Sequence, residues 1–334
     1  MPVYDVDKSP QVQKLARNRV RSILRLLTVA TLRTLEAKIS GAGPNYMRIS
    51  ARAISKAIRA LLMFGEIRVV AAPEAELENF PGAKKSSAKV YALSSASDSE
   101  IEQKLPKVIS DLAAFENVIQ NHPNNPGKLA EEIVRSALSQ TPGIELGPDW
   151  GNVTQHNGTR LSHAADGLVF VTGSPIIGLI EIKNVREWLY PRDIQPWQLI
   201  QNAYRIDAVP IFIARRIHQP TLRFALNPVG GIGIETLRQF MPTDTKAELA
   251  GARDKAGLGY SDLDFTEEPP PHLVRYLARL EKKLRYAYNR MRHARPIVQP
   301  YLDRLASADV SDEERYALYD ELQDELTAAG FSRS

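Results

Sequence analysis

The chain of 334 residues contains no cysteine. That excludes disulfides, thiolate zinc centres, iron–sulfur clusters and a cysteine nucleophile. Any metal here must be held by oxygen or imidazole ligands. Long apolar runs are missing as well, so no segment reads as a membrane span and no membrane partner is expected. The opening residues MPVYDVDKSP lack the apolar stretch of a signal peptide, so the chain is expected to stay in the cytoplasm. Charge of one sign is scarce: Lys and Arg number 43 against 39 Asp and Glu, a formal +4. So small an excess points only weakly to nucleic acid, and where the basic residues sit carries more than their total.

What is present is an ordinary globular composition, 43% hydrophobic and 25% charged, on a chain long enough for two or three domains. From Gln11 to Ile39 apolar residues recur at helical spacing, which predicts two helices with a break near Thr28–Thr31. Ser50 is an N-cap candidate for a helix running to about Phe64, with Gly65 ending it. EIRVVAA and AKVYALSS then read as two strands flanking a polar loop. Helices followed by a β-hairpin resemble a winged helix-turn-helix, with residues 49–64 as the recognition helix and the hairpin 66–95 as the wing. Arg48, Arg52, Lys56 and Arg59 recur every three or four residues and can share one face. On a recognition helix they suit contacts to DNA phosphates and base edges. The competing reading is a solvated face of a protein-binding winged helix.

Residues 97–125 are expected to form a helical linker after the winged-helix domain, 1–96. Over 126–240 the pattern changes to helix, two strands, helix and a third buried strand. That predicts an α/β domain, a mixed β-sheet flanked by helices. Residues 241–334 form a helical C-terminal extension, with a basic, tyrosine-bearing helix over 272–295 and an acidic terminal helix capped by Ser311. The basic helix is either a DNA-backbone contact or a surface helix with its charges in water. Arg215, Arg216 and His218 end the last core strand and read as a solvated strand end, the alternative being a phosphate contact; REWLYP (186–191) reads as core packing, the alternative being stacking on DNA.

The stretch GLIEIKN (178–184) is apolar and β-branched, yet it carries Glu181 and Lys183. Strand side chains alternate, so both charges leave on one face while Ile180 and Ile182 leave on the other. If this strand pairs with DGLVFV through the turn TGSP, Asp166 approaches Glu181. Two close carboxylates repel unless a cation lies between them. Hard oxygen ligands suit Mg²⁺ or Mn²⁺, and a neighbouring lysine can activate a water or stabilise charge on a phosphate. The alternative is a salt bridge on a sheet face.

Asp166, a spacer and then Glu181–Ile182–Lys183 resemble the PD-(D/E)xK, or restriction-endonuclease-like, nuclease superfamily. The order of elements is similar over residues 126–217. The resemblance implies a metal-dependent DNA endonuclease hydrolysing phosphodiester bonds, in restriction and defence or in recombination and repair. It implies Asp166 and Glu181 as metal ligands, the Ile182 carbonyl as a further ligand, and Lys183 as the cation that orients water. A glutamate on the first core helix joins them: Glu131, four residues after Gly127, with Glu132 as its competitor. No nucleotide cofactor is implied, DNA is the partner, and a homodimer would cut both strands. The chain departs from the pattern in having Ala165 before the aspartate. It also has Gln-x-x-Tyr (Gln201, Tyr204) on the following helix, so the exonuclease-like branch is not assigned. The alternative function is a winged-helix DNA-binding regulator with a catalytically silent nuclease-like domain.

Overall fold

A computed structural model describes residues 9–39, 49–71, 89–217 and 225–331. The chain divides into two compact units, one drawn from Met1–Pro123 and Asp244–Leu263, the other from Asn124–Thr243 and Asp264–Ser334.

The first unit opens with α1 (Pro10–Leu27), which buries Val12, Ala16, Val20, Leu24 and Leu27 along one stripe. Thr28, at φ 67, ends it in the left-handed region. The expected break is a strand, β1 (Val29–Thr31), buried throughout and followed directly by α2 (Leu32–Ile39). Helix α3 (Ala51–Met63) starts at Ser50, whose side chain accepts the Ala53 N–H at 3.1 Å. It stops before Gly65, whose φ of 66 suits a residue without a Cβ. Strands β2 (Ile67–Ala71) and β3 (Val90–Leu93) pair antiparallel, and β1 adds to the far edge of β3. Periodicity missed β1 because three buried residues carry no period of their own. Helix α4 (Asp98–Asn121) begins with a reciprocal capping box between Ser97 and Glu100. Rather than standing apart as a connector, α4 belongs to this unit. It buries Val108, Leu112, Phe115 and Val118, and its Glu116 pairs with Arg33 at 2.6 Å.

The second unit is α/β, with a mixed sheet flanked by helices. After α5 (Pro126–Ser139) and β4 (Ile144–Leu146) comes a separate antiparallel pair, β5 (Val153–His156) and β6 (Thr159–Ala165). The chain bends at Asp166 into β7 (Gly167–Val171) and returns as β8 (Ile177–Lys183). Then follow α6 (Ile194–Arg205), β9 (Ala208–Ala214), β10 (Ile232–Glu235) and β11 (Gln239–Met241). The main sheet has the order β10-β9-β8-β7-β4. It is parallel from β8 to β10 and antiparallel from β8 to β4. β8 therefore lies at the centre, which is why its sequence is nearly all apolar.

Three further helices complete this unit: α7 (Pro271–Leu277), α8 (Leu280–Leu305) and α9 (Asp312–Ala328). The single helix expected over 272–295 is two, separated at Ala278–Arg279, and the second continues past Pro296 and Pro300. One sheet face, through Ile180, Ile182, Ile211 and Ile213, packs on α5, α7 and the first turns of α8. The other, through Leu168, Leu179 and Phe212, packs on α6, the rest of α8 and α9. The C-terminal helices thus form part of this core.

Candidate active site

Alternation along β8 sends Ile180 and Ile182 into the core shared with α5, and Glu181 and Lys183 to the other face. The two charges meet there: Lys183 Nζ lies 2.5 Å from Glu181 Oε1. Their side chains retain only 33% and 15% exposure.

Asp166 reaches the same place from the hairpin. Gly167 pairs with Ile180, so one step further along this antiparallel register sets Asp166 opposite Glu181. The chain bends at this point, and the Asp166 side chain does what a ladder carbonyl would otherwise do. Its Oδ2 accepts the Ile182 N–H at 2.5 Å, while its own N–H donates to Ile180 O at 3.0 Å. Lys183 O accepts the N–H of Arg215, the residue after β9. Because carbonyls alternate along a strand, Ile182 O turns to the opposite edge, the side on which Asp166 stands. Gly167 has no room for a Cβ, which would lie 2.4 Å from the Trp150 ring.

Glu131 enters from α5. It lies beside Gly151, whose amide donates to Asp166 O at 2.7 Å. Burial, then the charges of Asp166 and Glu181, push its carboxyl up to about 7, against the pull of Lys183 and Lys128. Glu132 is exposed. The structure thereby separates the two candidates: Glu131 feels the cluster. Burial also raises Asp166, opposed by the Ile182 N–H and by Lys183, and raises Glu181 against the pull of Lys183. For Lys183 burial works downward. Glu181, Asp166 and Glu131 outweigh it and hold the ammonium above its usual value.

No family model, curated protein or solved structure matches this chain.

The site therefore stands on its own geometry. Three carboxyls and one ammonium interact in a half-buried setting, and every carboxyl is held above its ordinary range. Such a cluster favours added positive charge. Two carboxylates and a backbone carbonyl are also the hard-oxygen donors that suit Mg²⁺ or Mn²⁺. Among the described residues, however, no group of three or more carboxylate or imidazole side chains converges as a metal centre. The reason lies in the contacts above: Glu181 is turned to Lys183 and Asp166 to the Ile182 amide. A cation would compete with the ammonium for Glu181.

Asn184, the residue after Lys183, was not singled out from the sequence. It is buried, and its Nδ2 donates to Pro126 O and Phe240 O, both at 2.8 Å. Its Oδ1 accepts the Phe240 N–H at 2.9 Å. One side chain thus ties the end of β8 to the start of α5, which carries Glu131, and to β11. An amide directly after a strand-borne lysine was a faint signal at most.

Other polar groups brace the neighbouring strand. Asn202 of α6 accepts from the Ser162 N–H at 2.9 Å and donates to His163 O at 3.0 Å. Gln201 accepts from Ser162 and donates to Asp303, while Gln198 meets His163 at 3.1 Å. Arg215 is not a solvated strand end. It is buried and donates to Val185 O and Arg186 O. His218 lies outside the described residues. Trp188 and Leu189 are buried, as expected of a packing segment.

In the first unit, α3 turns Ala53, Ile54, Ala57, Ile58 and Leu61 to the core. Arg52, Lys56 and Arg59 lie on the opposite face by helical spacing, with Arg52 and Lys56 half-buried and Arg59 exposed. Arg48 lies outside the described residues.

Proposed function

We propose that this chain is a metal-dependent DNA endonuclease of the PD-(D/E)xK type, with a winged-helix domain at its N-terminus. The observation that carries the reading is the meeting of Asp166, Glu181 and Lys183 at the end of one hairpin, with Glu131 brought in from α5. The first unit's order of helix, strand, helix, helix and two strands supports the winged-helix part.

In this reading Asp166, Glu181 and the Ile182 carbonyl hold Mg²⁺ or Mn²⁺, with Glu131 joining directly or through water. When bound, the cation supplies Lewis-acid polarisation of the scissile phosphate. Lys183 orients the attacking water and offsets charge growing on the phosphate oxygens. Asp166, by holding the Ile182 N–H, keeps the Ile182 carbonyl aimed at the site. The basic face of α3, Arg52, Lys56 and Arg59, docks duplex DNA, and a homodimer would place two sites on two strands.

A second reading has its own observation. The 2.5 Å Glu181–Lys183 ion pair and the unconverged carboxylates favour a silent site on a DNA-binding regulator. One experiment separates the two: incubation of the purified chain with plasmid, linear and branched DNA in Mg²⁺, Mn²⁺ or EDTA. The nuclease reading expects metal-dependent cleavage that falls by about 10²-fold or more in Asp166→Ala and Lys183→Ala. Binding without cleavage of any substrate selects the regulator.

A further inference from the structure

The basic helix of the second unit borders a cleft of about 470 Å³ at the β10 edge of the sheet, two strands away from β8. Its floor is Gly230, Gly231 and Gly233, and its walls come from α7 and α8. Gly230 lets the chain pass close against α8. At Gly230, φ 78, an added Cβ would lie 2.4 Å from the Met291 backbone nitrogen.

Four cations line this cleft, Arg279, Lys282, Lys283 and Arg290, and no carboxylate does. Among the described residues none of the four forms an ion pair. Two of them have aromatic partners. Lys283 Nζ sits 3.6 Å from the Tyr276 ring centre, and Arg290 donates to the Tyr286 hydroxyl at 3.2 Å. Arg290 Nε is buried with no hydrogen-bond partner. Tyr276 is itself anchored, donating to Gly233 O at 3.2 Å. Tyr286 is 65% exposed at the mouth. Gathering four like charges without a counter-ion is unfavourable, and a bound anion reverses the sign. An exposed aromatic among cations suits a stacked base beside a phosphate, and the volume is that of a small-ligand site.

We propose that this cleft binds the nucleoside phosphate units of a nucleic-acid single strand. The phosphates lie on Arg279, Lys282, Lys283 and Arg290, and a base stacks on Tyr286. The contact uses residues other than those of the α3 face and does not depend on the cleavage chemistry.

The test is fluorescence anisotropy of the full chain with a labelled twelve-residue oligo-dT in EDTA, where no metal-dependent cleavage occurs. Lys283→Ala/Arg290→Ala is expected to weaken binding about tenfold or more and to flatten the salt dependence by about 1.4. Tyr286→Ala, whose ring is mostly in solvent and whose loss spares the core, is expected to weaken it about tenfold. Arg52→Ala/Lys56→Ala/Arg59→Ala is expected to weaken single-strand binding less than either cleft variant does. A nucleoside monophosphate added as competitor distinguishes the source. Weak displacement supports a strand, and displacement at matching affinity supports the same chemistry in a free nucleotide. Wild-type affinity in both cleft variants overturns the proposal, as does loss confined to the α3 variant.

Discussion

Asp166 and Ile182 are joined by a side-chain-to-backbone hydrogen bond of 2.5 Å across the β7–β8 hairpin. It replaces a ladder bond at the bend where the chain leaves the main sheet. The bond couples the position of the aspartate to that of the central strand between Glu181 and Lys183.

Removing the ammonium exposes the cost of gathering the carboxylates. Lys183→Met leaves Glu181 half-buried without its partner, which is expected to cost about 2 kcal/mol at pH 8. The cost is expected to shrink as pH falls, because burial already favours the neutral Glu181 carboxyl and the ammonium that opposed this is gone. Thermal melts at pH 8 and pH 5 measure this, and equal losses at both would show that the pair is not electrostatically coupled.

The pH dependence of stability follows from Glu131. Its folded pKa of about 7 lies above the ordinary value of 4.5. Between those values the folded state binds more protons than the unfolded state, so stability falls as pH rises through this window. Glu131→Gln is expected to remove that part of the slope. The part is on the order of 1 kcal/mol, the half-exposed carboxyl being partly screened by water. Denaturant titrations of both proteins at pH 5 and pH 7.5, without divalent metal, give the difference. Identical slopes would remove Glu131 from the cluster.

Asn184 is expected to matter more than its place in the sequence suggests. Asn184→Ala leaves the Pro126 and Phe240 carbonyls and the Phe240 amide without their partner. A loss of about 2 kcal/mol or more follows, because buried polar groups are left unsatisfied. If cleavage is present, kcat is expected to drop as α5 loosens and Glu131 shifts. An unchanged melting temperature would refute the tie.

For the first unit, Arg52→Ala/Lys56→Ala/Arg59→Ala is expected to fold normally, since these residues lie opposite the buried stripe of α3. Duplex affinity should fall, and the salt dependence should flatten by about two to three. Titrations at several salt concentrations decide it. A variant that binds duplex DNA like the wild type would move the docking surface elsewhere.

Much of this arrangement is legible in the sequence. The period of two along GLIEIKN put Glu181 and Lys183 on one face. The turn TGSP implied the hairpin that brings Asp166 opposite Glu181. Ser50 and Gly65 marked the ends of α3 because capping is a property of a few adjacent residues. These features are local, and local spacing is what a sequence states directly.

Tertiary structure alone decided the rest. Glu131 and Glu132 are neighbours with the same chemistry, and only the packing of α5 turns the first to the cluster and leaves the second exposed. The Asp166–Ile182 bond, the Asn184 tie and the close approach of Gly230 to the α8 backbone at Met291 join separate elements of the chain. Such contacts depend on how whole elements settle against one another, so no periodicity along the sequence encodes them.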